Sequence, residues 1–199
     1  MPADGLPSGG LVLASTSPYR RELLGRLGLP FTSARPDADE SALPGESPED
    51  LVTRLAESKA RSVARHHSEA LVIGSDQVAV LDGEIIGKPG TPERARAQLA
   101  RTSGRSVRFL TGLCLLDTAS GECQVLVEPF TVHFRELDAA SIARYVAAEQ
   151  PYDCAGSFKS EGLGITLFAR LEGDDPNSLI GLPLIRLVDL LAQSGIVLP

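Results

Sequence analysis

Residues 11–24, Leu-Val-Leu-Ala-Ser-Thr-Ser-Pro-Tyr-Arg-Arg-Glu-Leu-Leu, constrain the fold more than any other stretch of the chain. Four apolar residues predict a buried strand, three hydroxyl residues a turn, and the remainder a helix. Ser17 is a good N-cap, and Pro18 suits the first helical position, where a missing N–H has no intrahelical partner. Leu23, Leu24 and Leu27 share one face, and Gly28 marks a stop. Such a turn brings free backbone N–H groups, the hydroxyls of Ser15, Thr16 and Ser17, and the guanidinium of Arg20 or Arg21 to one point, which suits a phosphate. The plainer alternative is a well-capped helix with two surface arginines.

Further along, strands and helices alternate. Residues 31–34 predict a second strand, and a loop over residues 35–46 carries Asp37, Asp39 and Glu40. This acidic group is either a solvated loop or a place from which Glu40 reaches a metal or orders a lysine. Ser47-Pro48 repeats the capping device at a second helix, whose apolar stripe of Val52, Ala56 and Val63 includes Lys59. That ammonium either snorkels to solvent or is held rigid and pointed at a phosphate.

Residues 71–73 predict a short strand that delivers Asp76 and Gln77. Asp82-Gly83 then turns a hairpin over residues 78–86, and Lys88 sits on a constrained Gly-Lys-Pro tip. A carboxylate close to cationic groups can hold a divalent metal or orient a water, although a lone Asp at a strand end is often a turn residue.

Thr91-Pro92 opens a third helix, two long strands follow over residues 106–116 and 123–134, and Asp138 caps a fourth helix. Residues 154–164 form a glycine-rich connection bearing Phe158, Lys159 and Glu161. A strand over 165–169, a turn at 174–177 and an amphipathic helix over 182–191 end the chain. The pattern is α/β with a mixed sheet.

Composition narrows the function. A chain of 199 residues with 43% apolar content can bury a core in one domain, residues 11–199, behind a Gly- and Pro-rich tail, residues 1–10, expected to be disordered. The net charge of −7 argues against a broad surface for nucleic-acid polymers. No apolar run is long enough to cross a membrane, and no signal peptide is visible, so cytoplasm is the expected compartment. Cys114, Cys123 and Cys154 lack zinc spacing. The first two could face each other across a hairpin, but an odd count favours free thiols. No Gly-x4-Gly-Lys-[Ser/Thr] sequence is present, which removes a P-loop ATPase.

The segment from Ser15 to Leu24 resembles the N-terminal signature of the Maf nucleotide pyrophosphatases. The likeness continues through Ile73-Gly-Ser-Asp-Gln-Val78, Gly87-Lys-Pro89, Ser103-Gly104, Thr111-Gly-Leu113, Cys154-Ala-Gly-Ser-Phe-Lys-Ser-Glu-Gly162 and Gly181-Leu-Pro183. Gly-Ser-Asp-Gln and Phe-Lys-Ser-Glu-Gly are similar to the branch acting on 7-methyl-GTP, whereas the dTTP and UTP branch usually reads Gly-Ala-Asp-Thr.

The resemblance implies an elongated two-lobed fold like inosine-triphosphate pyrophosphatase, often paired as a homodimer. It implies hydrolysis of a nucleoside triphosphate to the monophosphate and pyrophosphate with Mg²⁺, Mn²⁺ or Co²⁺. Asp76 would accept a proton, Arg20, Lys59 and Lys88 would share phosphate charge, and Ser15 and Thr16 would hold phosphate oxygens. Glu40 and Asp76 would face the metal, and Tyr19, Gln77 and Glu161 would select the base. Two alternatives stand beside this: the same chemistry on dTTP and UTP, and a nucleotide-binding regulator of cell division that does not hydrolyse.

Overall fold

A parallel trio opens the sheet in the computed structural model, which describes residues 5–199. Strand β1 (Leu11–Ala14) lies between β2 (Phe31–Ala34) and β3 (Leu71–Leu81), with Leu11 opposite Phe31 on one side and Leu71 on the other. Strands β4 (Glu84–Ile86), β5 (Ser106–Asp117), β6 (Cys123–Phe134) and β7 (Phe168–Glu172) add antiparallel partners. The result is a seven-stranded mixed sheet in the order β2-β1-β3-β5-β6-β7, with β4 paired to the end of β3.

Five helices cover it: α1 (Pro18–Gly25), α2 (Pro48–Ala64), α3 (Pro92–Thr102), α4 (Ala139–Glu149) and α5 (Leu184–Gln193). The first four begin where the sequence places a cap. Ser17, Ser47, Thr91 and Asp138 each accept the N–H three residues on, satisfying a donor that the helix cannot.

Several expectations are corrected. β3 does not stop at residue 73 but runs unbroken through Asp76 and Gln77, because β5 pairs with it from Leu71 opposite Asp117 to Val80 opposite Arg108. The strand expected at 165–169 begins at Phe168, after residues 163–167 have wound into a 3-10 turn. The turn at 174–177 is a 3-10 helix, Pro176–Ile180, capped by Asp175. The last helix starts at Leu184 and ends at Gln193.

Of the expected tail, residues 1–4 lie outside the described residues. The remainder is tied down: Leu6 packs on the core, the Gly9 N–H donates to the Glu69 carbonyl, and the Gly10 carbonyl accepts from Leu71. The Cys114 and Cys123 sulfurs lie 3.3 Å apart across the β5–β6 hairpin as free thiols.

Alternation along β3 sorts its side chains. Val72, Gly74, Asp76 and Val78 face α2. Leu71, Ile73, Ser75, Gln77, Ala79 and Leu81 face the opposite side. On that side there are two cores, one with α1 and α5 around Leu13, Ile73 and Leu113, the other with α3 and α4 around Leu81, Phe109 and Val132.

On the α2 side the approach is close. A Cβ on Gly74 would lie 2.0 Å from the Ala56 carbonyl oxygen, and one on Gly112 would lie 2.2 Å from that of Val52. Only glycine lets the helix backbone rest there.

β3 also has an open edge. β1 pairs with it only through Ile73, and β4 only from Ala79 onward. Residues 74–78 therefore have β5 on one side and no strand on the other. Gly112→Ala, which drives a Cβ into α2 backbone, is expected to destabilise the protein by about 3 kcal/mol or more. Urea unfolding at unchanged m-value measures this. A loss below about 0.5 kcal/mol would mean that α2 can retreat freely.

Candidate active site

The open edge of β3 receives side chains from every side. Asp76 comes from the strand itself, Lys59 from α2, Ser15 and Thr16 from the β1–α1 turn, Tyr19 and Arg20 from the first turn of α1, and Lys88 from the loop after β4. Together with Glu40 they line a cavity of about 350 Å³. A second cavity of about 130 Å³ adjoins it, sharing Tyr19, Arg20, Lys88 and Asp153, and adds Gln77, Phe158 and Glu161. The structure thus brings all ten sequence-predicted site residues to two adjoining cavities.

Lys59 does not snorkel. It is 6% exposed, and its Nζ lies 2.5 Å from Asp76 Oδ1 and 2.6 Å from Glu40 Oε1. Burying an ammonium is costly unless it is paired and hydrogen-bonded, and both carboxylates serve that need. The acidic loop is tethered along α2, although Asp37, Asp39 and Glu40 all remain exposed to solvent as a solvated loop would be. Asp37 donates its N–H to Ser62 Oγ, while Arg54 holds the Ser41 carbonyl and Glu46. This tether carries Glu40 over Lys59, although the Glu40 side chain stays 64% exposed. Hydrogen bonding to Lys59, opposed by desolvation, keeps the Glu40 carboxyl below its ordinary range.

The turn after β1 distinguishes the two arginines. Arg20 lines both cavities, whereas Arg21 is exposed and lines neither. Arg20 Nε donates to the Gly181 carbonyl at 2.7 Å. Burial pulls this guanidinium down from its ordinary value, with Asp76 and Glu40 opposing the shift, and an arginine keeps its charge regardless. Ser15 is buried and accepts the Ser17 N–H at 3.1 Å, which orders the turn.

Lys88 is exposed at the mouth. Its loop is tied down by Gln98 donating to the Gly87 carbonyl and by Gly90 donating to that of Tyr152.

The smaller cavity has a different chemistry. Phe109 and Phe158 meet edge to face at 5.3 Å behind it, and Tyr19 lies between the two cavities. Burial, reinforced by Cys154, Asp153 and Glu161, pushes the Tyr19 phenol up to about 12, so the ring is neutral.

Gln77 is more constrained than its sequence position indicates. Its Nε2 is spent on Thr111 Oγ1, the Ser178 carbonyl and the Leu179 carbonyl, so only Oε1 is left for a ligand. Lys159 lines the cavity as well, but its ammonium caps α4 at the Glu149 carbonyl. Glu161 is exposed at the rim.

Sequence reasoning missed Asp153, which lines both cavities, and Gln98, which holds the Lys88 loop and also bonds Ser157. No local pattern marks either, because both roles arise from loops meeting in space. Ser75 and Gly181 lie within the motifs quoted above, yet their contact with each other is visible only in three dimensions.

Comparison with known proteins adds an independent line. The model of the family described as Maf-like protein matches residues 10–194. A protein of Pseudomonas syringae pv. tomato named 7-methyl-GTP pyrophosphatase is 64% identical over 189 residues, covering 95% of this chain and 98% of its own. A protein of the same name from Pseudomonas aeruginosa shows the same identity and coverage. A Nitrosococcus oceani protein, again so named, is 60% identical over 195 residues, 98% of this chain and 97% of its own. With the match running almost from end to end, the chain belongs to the Maf-like protein family.

Proposed function

We propose that the protein hydrolyses 7-methyl-GTP between the α and β phosphates, releasing the monophosphate and pyrophosphate. The observation that carries this is Lys59, buried between Asp76 and Glu40 on a cavity that Arg20 lines and at whose mouth Lys88 sits. Relatives at 60–64% identity named 7-methyl-GTP pyrophosphatase support the substrate.

The task is to balance a polyanion and present water in line with the α phosphorus. Arg20, Lys59 and Lys88 share phosphate charge, and Ser15 and Thr16 hold phosphate oxygens. Lys59 fixes Asp76 through Oδ1, leaving Oδ2 to take a proton from the attacking water. As the water oxygen bonds to the α phosphorus, the bond to the bridging oxygen breaks and pyrophosphate departs.

Among the described residues there is no cluster of three or more His, Cys, Asp or Glu side chains fit to hold a metal. Glu40 and Asp76, as carboxylates, would nevertheless be the residues to hold a Mg²⁺, Mn²⁺ or Co²⁺ ion, since hard cations prefer oxygen ligands. Charge balance supports this reading. Three cations already face Asp76, Glu40 and Asp153, so a triphosphate arrives unbalanced. A divalent ion there supplies positive charge against the polyphosphate.

The base belongs in the smaller cavity. Tyr19 offers a neutral ring to the cationic methylguanine, and Gln77 Oε1 and Glu161 accept from its N1–H and N2–H groups. The two cores beside the cleft are read as two lobes of one domain. Every residue invoked belongs to one chain, so the chemistry does not require the homodimer the resemblance implies. No helix among the described residues is long and apolar enough to cross a membrane. A soluble nucleotide substrate and free thiols favour work in the cytoplasm.

Asp76→Asn keeps the shape and a hydrogen bond to Lys59 but removes the base. Turnover is expected to fall about 10²–10⁴-fold while nucleotide binding survives. Near-normal pyrophosphate release by that variant would remove Asp76 from its role.

For the base, Glu161→Gln is expected to lower kcat/KM for 7-methyl-GTP relative to dTTP by about tenfold, or 1.4 kcal/mol. An unchanged ratio would leave the enzyme class standing but not this reading of base selection.

Glu40 gives a test by pH. Its carboxyl is expected to titrate below the ordinary 4.5 when followed by NMR. The contact with Lys59 then holds at neutral and mildly acidic pH and is lost as pH falls through the lowered value. Lys59→Met should restore the ordinary midpoint. A midpoint that stays low in Lys59→Met would place the cause of the shift elsewhere.

A further inference from the structure

Side chains of two sheet strands reach up to one short segment. The 3-10 turn Pro176–Ile180 is capped by Asp175, whose carboxylate accepts the N–H groups of Asn177 and Ile185. The Ser178 carbonyl accepts Gln77 Nε2 at 2.7 Å and Thr111 Oγ1 at 2.9 Å. Further along the same segment, the Gly181 carbonyl accepts Ser75 Oγ at 3.0 Å and Arg20 Nε at 2.7 Å. Ser75 is fully buried and belongs to the wall of neither cavity, whereas Arg20 lines both. The serine hydroxyl therefore meets the guanidinium only through a shared acceptor.

We propose that Ser75 is a positioning residue for Arg20, acting through the Gly181 carbonyl. An arginine on the short helix α1 has several rotatable bonds, and holding Nε on a fixed oxygen removes most of that freedom. Both terminal nitrogens then stay available as the bidentate pair that suits a phosphate. A carbonyl oxygen has two lone pairs, and here one donor comes from the rigid centre of the sheet and the other from the side chain to be placed.

Gly181 completes the device. It sits at φ +120°, and a Cβ on it would lie 3.3 Å from Arg20 Nε. A side chain at this position would therefore press on the nitrogen being held. The competing account is that Ser75 only satisfies a buried carbonyl. Its loss would then act on stability, whatever stands at position 20.

The proposal rests on the reading of Arg20 as a bearer of phosphate charge, so the test measures that reading too. Wild type, Ser75→Ala, Arg20→Ala and the double variant are compared for kcat and KM on 7-methyl-GTP with Mg²⁺, and for thermal unfolding. Ser75→Ala is expected to lower kcat/KM roughly tenfold, with unfolding close to wild type. Placed on Arg20→Ala, the same change should cost less than about twofold, because the group it positions is gone.

An equal factor in both backgrounds, or wild-type kcat/KM for Ser75→Ala, overturns the proposal and leaves Arg20 in place. Wild-type kcat/KM for Arg20→Ala overturns the reading of Arg20, and the proposal with it. Should Ser75→Ala unfold at the assay temperature, Ser75→Cys, which keeps the volume but donates only weakly, takes its place in the cycle, and additivity with Arg20→Ala overturns the proposal equally.

Discussion

The site depends first on how closely α2 is seated on the sheet. Asp76 meets the helical Lys59 at 2.5 Å where the two backbones come nearer than ordinary side chains permit. Gly74 and Gly112 remove the obstacle, since a Cβ on either would be driven into a carbonyl of the helix. Gly112 lies opposite Asp76 in the β3–β5 register, and Gly74 two residues before it on the same face. The glycines thus frame the carboxylate, and Ala56 and Ala60 on the helix complete the fit. Conformational freedom is given up at two positions so that Lys59 can be buried with its charge matched.

The position of the cavity follows from a break in strand pairing. β1 leaves β3 after Ile73, and β4 joins only at Ala79. The gap admits the capped start of α1 from one end and the Lys88 loop from the other. At the carboxyl ends of parallel strands such crevices collect ligands, and here an antiparallel hairpin supplies the second wall. Glu40 arrives from outside the sheet, which explains its exposure beside a buried lysine. Of the two partners of Lys59, one is built into a strand and the other is carried by a loop tethered through Arg54 and Ser62.

Local chemistry made much of this legible in the sequence. Ser17, Ser47, Thr91 and Asp138 announce helix starts because a cap acts within three residues of itself. The Asp82-Gly83 turn is local in the same way, with both residues at positive φ. What stayed hidden depends on partners remote in the chain. β3 reads as a short apolar strand because Gly74, Ser75, Asp76 and Gln77 look like a turn, and only its pairing with β5, more than 30 residues later, keeps them extended. Lys59 on an apolar stripe reads equally as a snorkelling surface residue until Asp76 and Glu40 are placed beside it. The choice between Arg20 and Arg21 likewise depends on a carbonyl at Gly181. Gln77 was legible as a site residue, but the engagement of its amide nitrogen was not, since its acceptors sit on Thr111, Ser178 and Leu179.

Strand register also explains why one face of the sheet carries two cores rather than one. Gln77 lies opposite Thr111, and Thr111 opposite Glu128, so a row of polar side chains crosses β3, β5 and β6 at one level. Leu113 and Leu115 lie on one side of that row, Phe109 and Val107 on the other, and each set belongs to its own apolar cluster. Thr111 is fully buried and Glu128 is 2% exposed, so the row is costly unless satisfied. It is satisfied by elements that an apolar row would have no reason to recruit: the Ser178 carbonyl takes Gln77 and Thr111, and Arg186 of α5 takes Glu128 at 2.8 Å. The segment those bonds fix runs on to Gly181, the carbonyl that holds Arg20. Thr111 thus holds that segment together with Gln77, while Glu128 holds α5. The polar row is therefore what converts a sheet with a gap in it into a sheet whose gap has a defined floor.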